Sequence, residues 1–403
     1  MVERNEYSWQ GSRIRHEKVK VIGIDARFYG EAGPGRYVKN IVKHLEQIDL
    51  KHKYKIFLRK KAFSQYNPSN PNFEKVLADF TWYSFEEQFV FFKVLLREKL
   101  DLLYIPHFNI PVLYPKAMVT AIPDIIMHTF STEKGTTLPR PYFKIKKLVY
   151  WWVVLWALLR SKKIIVPSNN TLEDFHRVYP FIRRKKFMVS YEGIDPDLEK
   201  PKDNTRLNNL KEEFNIKNPY LLYVGSMYEH KNVDRLVKAF SMFKTIHSKE
   251  YQLVIVGKKD TFSSEIYKLV EVYDLNNYVI MPGEKRFIED SEVAALMTGA
   301  QLYVFPSLKE GFSLTPLEAI KMGTVCLVSD IPTHREIYSS HVAYFDPYNM
   351  TEIAAEMNKL LKDQELREYL KKRSDNVLKK YSWDFTARET FGIFNQILYS
   401  SNR

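Results

Sequence analysis

The chain has 403 residues, 27% of them charged and 45% hydrophobic, and a formal net charge of +13. That length favours two domains with a core each, and the composition excludes a disordered or fibrous chain. One cysteine, Cys326, excludes an internal disulfide and fits a reducing compartment, and no Cys/His group has zinc-ligand spacing.

The excess charge is unevenly placed. Residues 1–195 carry 33 Lys and Arg against 19 Asp and Glu, a balance of +14; residues 196–403 carry 28 against 29, a balance of −1. A basic first half suits nucleic acid, an anionic membrane or a phosphorylated acceptor, or is simply a solubilising surface. Residues 1–18 are polar and lack the apolar core of a signal peptide, so they read as a tail before the first strand.

Residues 20–25 form an apolar run and read as strand. Gly30-Glu31-Ala32-Gly33-Pro34-Gly35-Arg36-Tyr37 follows, and the periodic set Val38, Ile41, Val42 and Leu45 then marks a helix. The glycine spacing is not G-x-G-x-x-G, and no G-K-[ST] loop is present. Gly33 and Gly35 therefore let backbone approach a ligand closely, or they make a tight turn. Further strands are expected at 54–58, 102–105, 118–122, 163–166 and 187–190, with helices at 85–98, 142–159 and 169–177. Such alternation implies a covered parallel sheet. Ligands then gather beyond the carboxyl ends of the strands, where Pro106-His107-Phe108-Asn109 and Pro123-Asp124 to His128 fall.

The apolar stretch 148–159 holds three of the six tryptophans and is basic at both ends. It is too short for the ~20 residues a bilayer span requires. It fits a buried core helix and an aromatic, lysine-flanked membrane interface equally well.

Residues 195–219 are polar and contain three prolines, so 196–219 reads as a linker between a domain at 19–195 and another at 220–380. Strands at 220–224, 252–256, 278–281, 302–305 and 324–329 then alternate with helices at 233–246, 263–273, 292–298 and 316–322. The remainder is helical, with 381–403 expected to cross back to the first domain. Within this half, the run 302–305 leads through a loop containing Gly311 to a helix opening at Thr315 or Pro316, because Pro is favoured where its missing N–H is unneeded. Free N–H groups at that end favour phosphate. Glu310 and Glu318 flank it, which suggests a ligand carrying hydroxyls as well as phosphate, such as a nucleotide sugar; a surface loop with two solvated glutamates is the plainer alternative.

Several segments together carry a family resemblance: Tyr223-Val224-Gly225-Ser226 through Lys231-Asn232, Val256-Gly257, Pro282-Gly283, Phe305-Pro306-Ser307 with Glu310 to Ala319, Ile24 to Arg27 with Gly33, Gly35 and Arg36, and Tyr191-Glu192-Gly193-Ile194-Asp195. In that order the chain resembles glycosyltransferase family 4, retaining enzymes of the GT-B fold, in which two Rossmann-like domains of α/β class face each other across a cleft. The resemblance implies that Glu318 bonds the donor ribose and that Glu310 lies beside the donor sugar. Gly311, Phe312, Ser313, Leu314 and Thr315 would hold sugar and diphosphate through backbone N–H groups. Lys231 would neutralise the leaving diphosphate, the charge that develops in the transition state. Ser226, Gly257 and Gly283 on the donor side and Gly33 and Gly35 opposite complete the expected donor contacts, with Asp124 catalytic. It implies no metal and no cofactor beyond the nucleoside-diphosphate sugar, and no covalent protein nucleophile.

Three departures stand out. Relatives often carry an arginine near Ser226 or at His230, a third small residue at Ser313, and His-Asp where this chain has Pro123-Asp124, a loss for which His128 or His107 could compensate. The expected function is hexose transfer to a hydroxyl acceptor, a lipid-linked or cell-surface glycan precursor of polysaccharide biosynthesis. The neutral domain would bind donor and the basic one acceptor, in the cytoplasm and peripherally on the inner face of an anionic membrane. A non-catalytic GT-B protein that binds nucleotide sugar is the alternative. Nucleic acid is not an expected partner, since no recognition module is present.

Overall fold

The computed structural model describes residues 18–399 except 32, 131–139 and 247–249. The tail expected over 1–18 lies outside the described residues apart from Lys18. The first domain runs β1 (Val21–Asp25), α1 (Pro34–Ile48), β2 (Lys53–Leu58), α2 (Lys60–Gln65), β3 (Phe73–Leu77), α3 (Phe92–Arg97), β4 (Leu102–Ile105), β5 (Met118–Ala121), α4 (Ile126–Thr129), α5 (Arg140–Arg160), β6 (Lys163–Val166), α6 (Asn169–Val178) and β7 (Phe187–Val189). A π-helical turn, Glu87–Phe91, precedes α3. The strands are parallel in the order β3-β2-β1-β4-β5-β6-β7.

The second domain runs α7 (Thr205–Phe214), β8 (Tyr220–Val224), α8 (Val233–Ile246), β9 (Gln252–Val256), α9 (Thr261–Val272), β10 (Val279–Ile280), α10 (Asp290–Gly299), β11 (Leu302–Phe305), α11 (Leu314–Lys321), β12 (Cys326–Ser329), α12 (Pro332–Tyr338), β13 (Ala343–Phe345), α13 (Met350–Lys362) and α14 (Gln364–Leu378), with α15 (Trp383–Tyr399) closing the chain. Its sheet is again all parallel, β10-β9-β8-β11-β12-β13. In each sheet the order reverses beside the first strand, between β1 and β4 and between β8 and β11. The crevice outside the carboxyl ends at such a reversal is where doubly wound sheets bind ligands.

Central strands are buried on both faces, which is why β8 (Tyr-Leu-Leu-Tyr-Val) and β11 (Leu-Tyr-Val-Phe) read as continuous apolar runs. Several helix starts are written in side chains. Asp260 accepts from the backbone of Phe262 and Ser263 to cap α9, and Asn349 caps α13 through Glu352.

The structure corrects the expected linker. Residues 205–214 inside it form α7, which buries Leu207, Leu210 and Phe214 in the second-domain core. At the far end, Trp383, Ala387, Ile393 and Phe394 of α15 pack with β1, β2 and α1 of the first domain.

Candidate functional site

The loops after β8 and β11 form one wall. Tyr228 leads into a single 3-10 turn, Glu229–Lys231, that ends at Asn232 in the left-handed region at φ 59°, a conformation Asn tolerates. Asn232 is buried and donates from Nδ2 to the carbonyls of Pro306 (3.0 Å) and Pro347 (2.9 Å), while Leu308 N–H donates to the His230 carbonyl at 2.7 Å. These bonds lock the two loops together and aim Lys231. Its Nζ donates to Glu310 Oε1 at 2.6 Å and lies 5.3 Å from the Phe305 ring centre. Glu310 is 7% exposed. Burial works to raise its pKa, yet the Lys231 ammonium, with His230, outweighs it and holds the carboxyl below its ordinary value.

α11 begins at Leu314, one residue earlier than expected. Ser313 stands before it at φ 78° and offers no side-chain cap. Pro316 is then third in the helix, still within the turn whose N–H groups have no internal partner. Phe312 is buried against Tyr191 and Tyr381, and Ser313 Oγ meets His334 Nε2 at 3.2 Å. Glu318 is 5% exposed, and its Oε1 accepts from Arg36 Nη1 of the other domain at 2.6 Å. Burial raises the Glu318 pKa, and the opposing pull of Arg36 does not fully offset it.

The facing wall closes tightly on this loop. The Gly311 carbonyl accepts from Ser168 Oγ at 2.7 Å and from Thr171 Oγ1 at 3.2 Å, and a methyl group at Gly311 would fall 2.1 Å from the Pro123 carbonyl oxygen. Pro123 therefore sits directly against the 311–315 loop. Asp124 follows, its Oδ1 accepting from Ile126 N–H at 2.9 Å; burial and the charge of Glu310 raise its pKa against that hydrogen bond and Lys231. Beside them Glu192 is pushed up to about 7 by burial and by the charges of Asp124 and Glu310. The second domain also reaches across. Glu336 of α12 accepts from the Asn169 and Asn170 N–H groups at the start of α6 (2.7 and 2.9 Å), from Asn169 Nδ2 (2.9 Å) and from Tyr191 Oη (3.0 Å).

The structure thus brings Glu310, Lys231, Glu318, the 311–315 loop and Asp124 to one cleft. It gives the glycines packing work. A methyl at Gly257 would lie 2.5 Å from the Gly225 carbonyl and one at Gly283 only 1.8 Å from the Gly257 carbonyl, so these residues, with Ser226 alongside, allow successive strand-end loops to stack backbone on backbone. Gly35 is needed because a methyl would fall 2.4 Å from the Phe28 carbonyl, and Gly33 takes φ 40° ahead of α1. His128 has both ring nitrogens engaged, by Tyr179 Oη at 2.8 Å and Tyr150 Oη at 2.9 Å, and burial lowers its pKa to about 4. His107 is stacked between Phe28 and Phe108 with Nδ1 accepting from Asn109 N–H, and burial lowers it to about 4 as well. His128 is thus held at both nitrogens, whereas His107 is bonded through Nδ1. Sequence reasoning missed Asn232, Ser168 and Glu336 as positioning groups; only their cross-loop and cross-domain partners reveal them.

Two family models match the chain, Glycosyltransferase Family 4 over residues 32–198 and Glycosyl transferases group 1 over residues 206–377. A serotype-specific mannosyltransferase, WbdA of Escherichia coli, is 31% identical over 198 residues, 49% of this chain; the match spans 24% of that protein's length. Among solved structures, sucrose-phosphate synthase from Thermosynechococcus elongatus superposes with a TM-score of 0.71 at 16% identity, covering 95% of this chain and 100% of the other. HepE of Anabaena in complex with UDP-glucose does so with a TM-score of 0.72 at 14% identity, covering 94% and 100%. At such identities the likeness concerns the fold.

Proposed function

The chain belongs to glycosyltransferase family 4 and has the GT-B fold, and from that premise we propose that it transfers a hexose, with retention, from a nucleoside-diphosphate sugar to a hydroxyl acceptor. The observation that carries this reading is the Lys231–Glu310 pair, 2.6 Å apart at the mouth of a helix whose first N–H groups are uncapped, with Glu318 buried in that helix. Lys231 meets the charge that appears on the phosphate oxygen as the anomeric C–O bond breaks. The acceptor oxygen attacks from the face the diphosphate leaves, and its proton passes to the departing phosphate oxygen. Glu310 holds the sugar ring, Glu318 the ribose, and Asp124 faces the reacting carbon from the acceptor side. Lys231 and the helix end supply the positive charge in this scheme, so no metal is invoked.

Similarity to a mannosyltransferase makes nucleoside-diphosphate mannose the first donor to offer. GDP-, UDP- and ADP-sugars should be screened for thermal stabilisation and for hydrolysis, then the responding donor supplied with lipid extracts. Lys231→Ala and Glu310→Ala should each lower turnover by about 10²–10³-fold. Unchanged turnover in both removes this chemistry, and donor binding with no transfer to any acceptor favours a binding role.

The acceptor side of the proposal is a lipid-linked precursor at an anionic bilayer. Among the described residues no helix is long and apolar enough to cross a membrane. α5, however, exposes Ile145, Leu148, Val149 and Trp152 at i, i+3, i+4 and i+7 spacing between exposed lysines, and contains five basic and no acidic residues. Exposed Leu113 and Phe89 extend this face, since Val112 joins Gln88 (2.9 Å) to Trp156 (2.9 Å). An apolar stripe edged with lysine suits insertion among anionic headgroups. On the same helix Tyr150 and Trp151 contact His128, in the segment that follows Asp124, which supports an acceptor side that faces the lipid. Co-sedimentation with phosphatidylglycerol vesicles should be strong at low salt and weakened by Leu148→Glu/Trp152→Glu; equal binding to neutral vesicles counts against an anionic surface.

A further inference from the structure

Arg36 bridges the two domains at the donor site. It lies in the first turn of α1, and its guanidinium forks across the cleft, Nη1 to Glu318 Oε1 at 2.6 Å and Nη2 to Asp290 Oδ1 at 2.9 Å. Both partners belong to the second domain. The Glu318 end is buried, whereas the Asp290 side chain is 74% exposed and holds little by itself.

Charge around the cleft says what this arm is available for. Lys231 is already paired with Glu310, and Asp124 and Glu192 add further carboxyl groups, so an entering diphosphate meets more acidic than basic side chains. Ser226, near which relatives often carry an arginine, brings no charge. Arg36 is the guanidinium held on Glu318, the carboxylate assigned above to the ribose. In any nucleoside diphosphate a single methylene joins the ribose ring to the phosphate ester, so a ribose seated on Glu318 brings phosphate within the sweep of that side chain. A planar guanidinium bonds phosphate in the same two-pronged way that it bonds a carboxylate.

We propose that Arg36 is a donor-positioning residue contributed by the opposite domain. As ribose hydroxyls take Glu318, Arg36 releases Oε1 and passes to the diphosphate, exchanging one anionic partner for another and drawing α1 and its domain onto the donor. No covalent step is involved. The inference rests on the donor assignment of the preceding section and extends it.

Its test is the phosphate dependence of affinity. Calorimetry with GDP, UDP and ADP, each against its parent nucleoside, should be run on the native protein, Arg36→Gln and Arg36→Lys. Arg36→Gln should bind the responding diphosphate at least about tenfold more weakly while the nucleoside binds unchanged or better, because Glu318 is freed; that loss is about 1.4 kcal/mol. Arg36→Lys keeps the charge but not the fork, so it should fall between, and it carries the comparison if the Gln variant fails to fold. Equal weakening of diphosphate and nucleoside reduces Arg36 to an interface brace and overturns the proposal. If no nucleoside diphosphate binds the native protein, the donor assignment itself fails. Native binding with an intact phosphate increment in both variants sinks Arg36 alone.

Discussion

Glu192 keeps its proton to about pH 7 because burial and the charges of Asp124 and Glu310 all oppose ionisation. An unfolded chain releases that proton near 4.3. Between the two values the folded state binds more protons than the unfolded one, so this group makes stability fall as pH rises from about 4.5 to about 7. Glu192→Gln should therefore raise the thermal midpoint at pH 8, by the equivalent of up to about 3 kcal/mol, and leave it unchanged near pH 4.5. Parallel pH profiles for variant and native protein would contradict that assignment. Glu310 and Glu318 could be singled out from the sequence because they flank one loop and helix start, and Lys231 through the family resemblance. The electrostatics could not, since burial leads both shifts and the charges that add to it or oppose it come from distant segments, Asp124 adding at Glu192 and Arg36 opposing at Glu318. The packing role of the glycines was hidden for a related reason. A glycine needed against a neighbouring loop looks, in one dimension, like a glycine needed against a ligand.

At the level of elements, the strand–helix alternation was legible because buried parallel strands are unbroken apolar runs. β3 was missed because Glu74 and Lys75 interrupt it at a sheet edge, where solvent tolerates them. α7 was missed because its polar face and flanking prolines outweigh the three buried positions that hold it. The loop from β11 to α11 was read nearly to the residue, yet its tightest constraint lay in the other domain. Gly311→Ala would drive a methyl onto the Pro123 carbonyl, 2.1 Å away. Backbone must move to accommodate it, and the loops can separate more easily than either sheet can deform. The variant should lose transfer by about 10²-fold, as misplacement of about 1 Å can, with little change in unfolding and a larger radius of gyration by X-ray scattering. Native activity in this variant would mean that the contact is not needed in the reacting state.

Across the whole molecule, α15 packs against the first domain, so the core of that domain is completed by a helix that follows the second domain in sequence. Phe394→Ala, at a fully buried position packed near Tyr104, should destabilise the first domain by about 3–5 kcal/mol. Differential scanning calorimetry should show that loss as an earlier transition, and an unchanged endotherm would assign the helix a lesser part. Two domains and their order were readable from one rhythm repeated on either side of a polar stretch, but the bonds between them were not, because no local pattern records a partner half a chain away. Glu336 is such a bond. A carboxylate of one domain joins Ser168 in capping a helix of the other, so each parting of the walls strips the first two amides of α6 of their acceptor. The Asn169 and Asn170 amides are then free to trade hydrogen with solvent. Their exchange clocks how often the cleft breathes, a meter that the molecule carries in its own backbone.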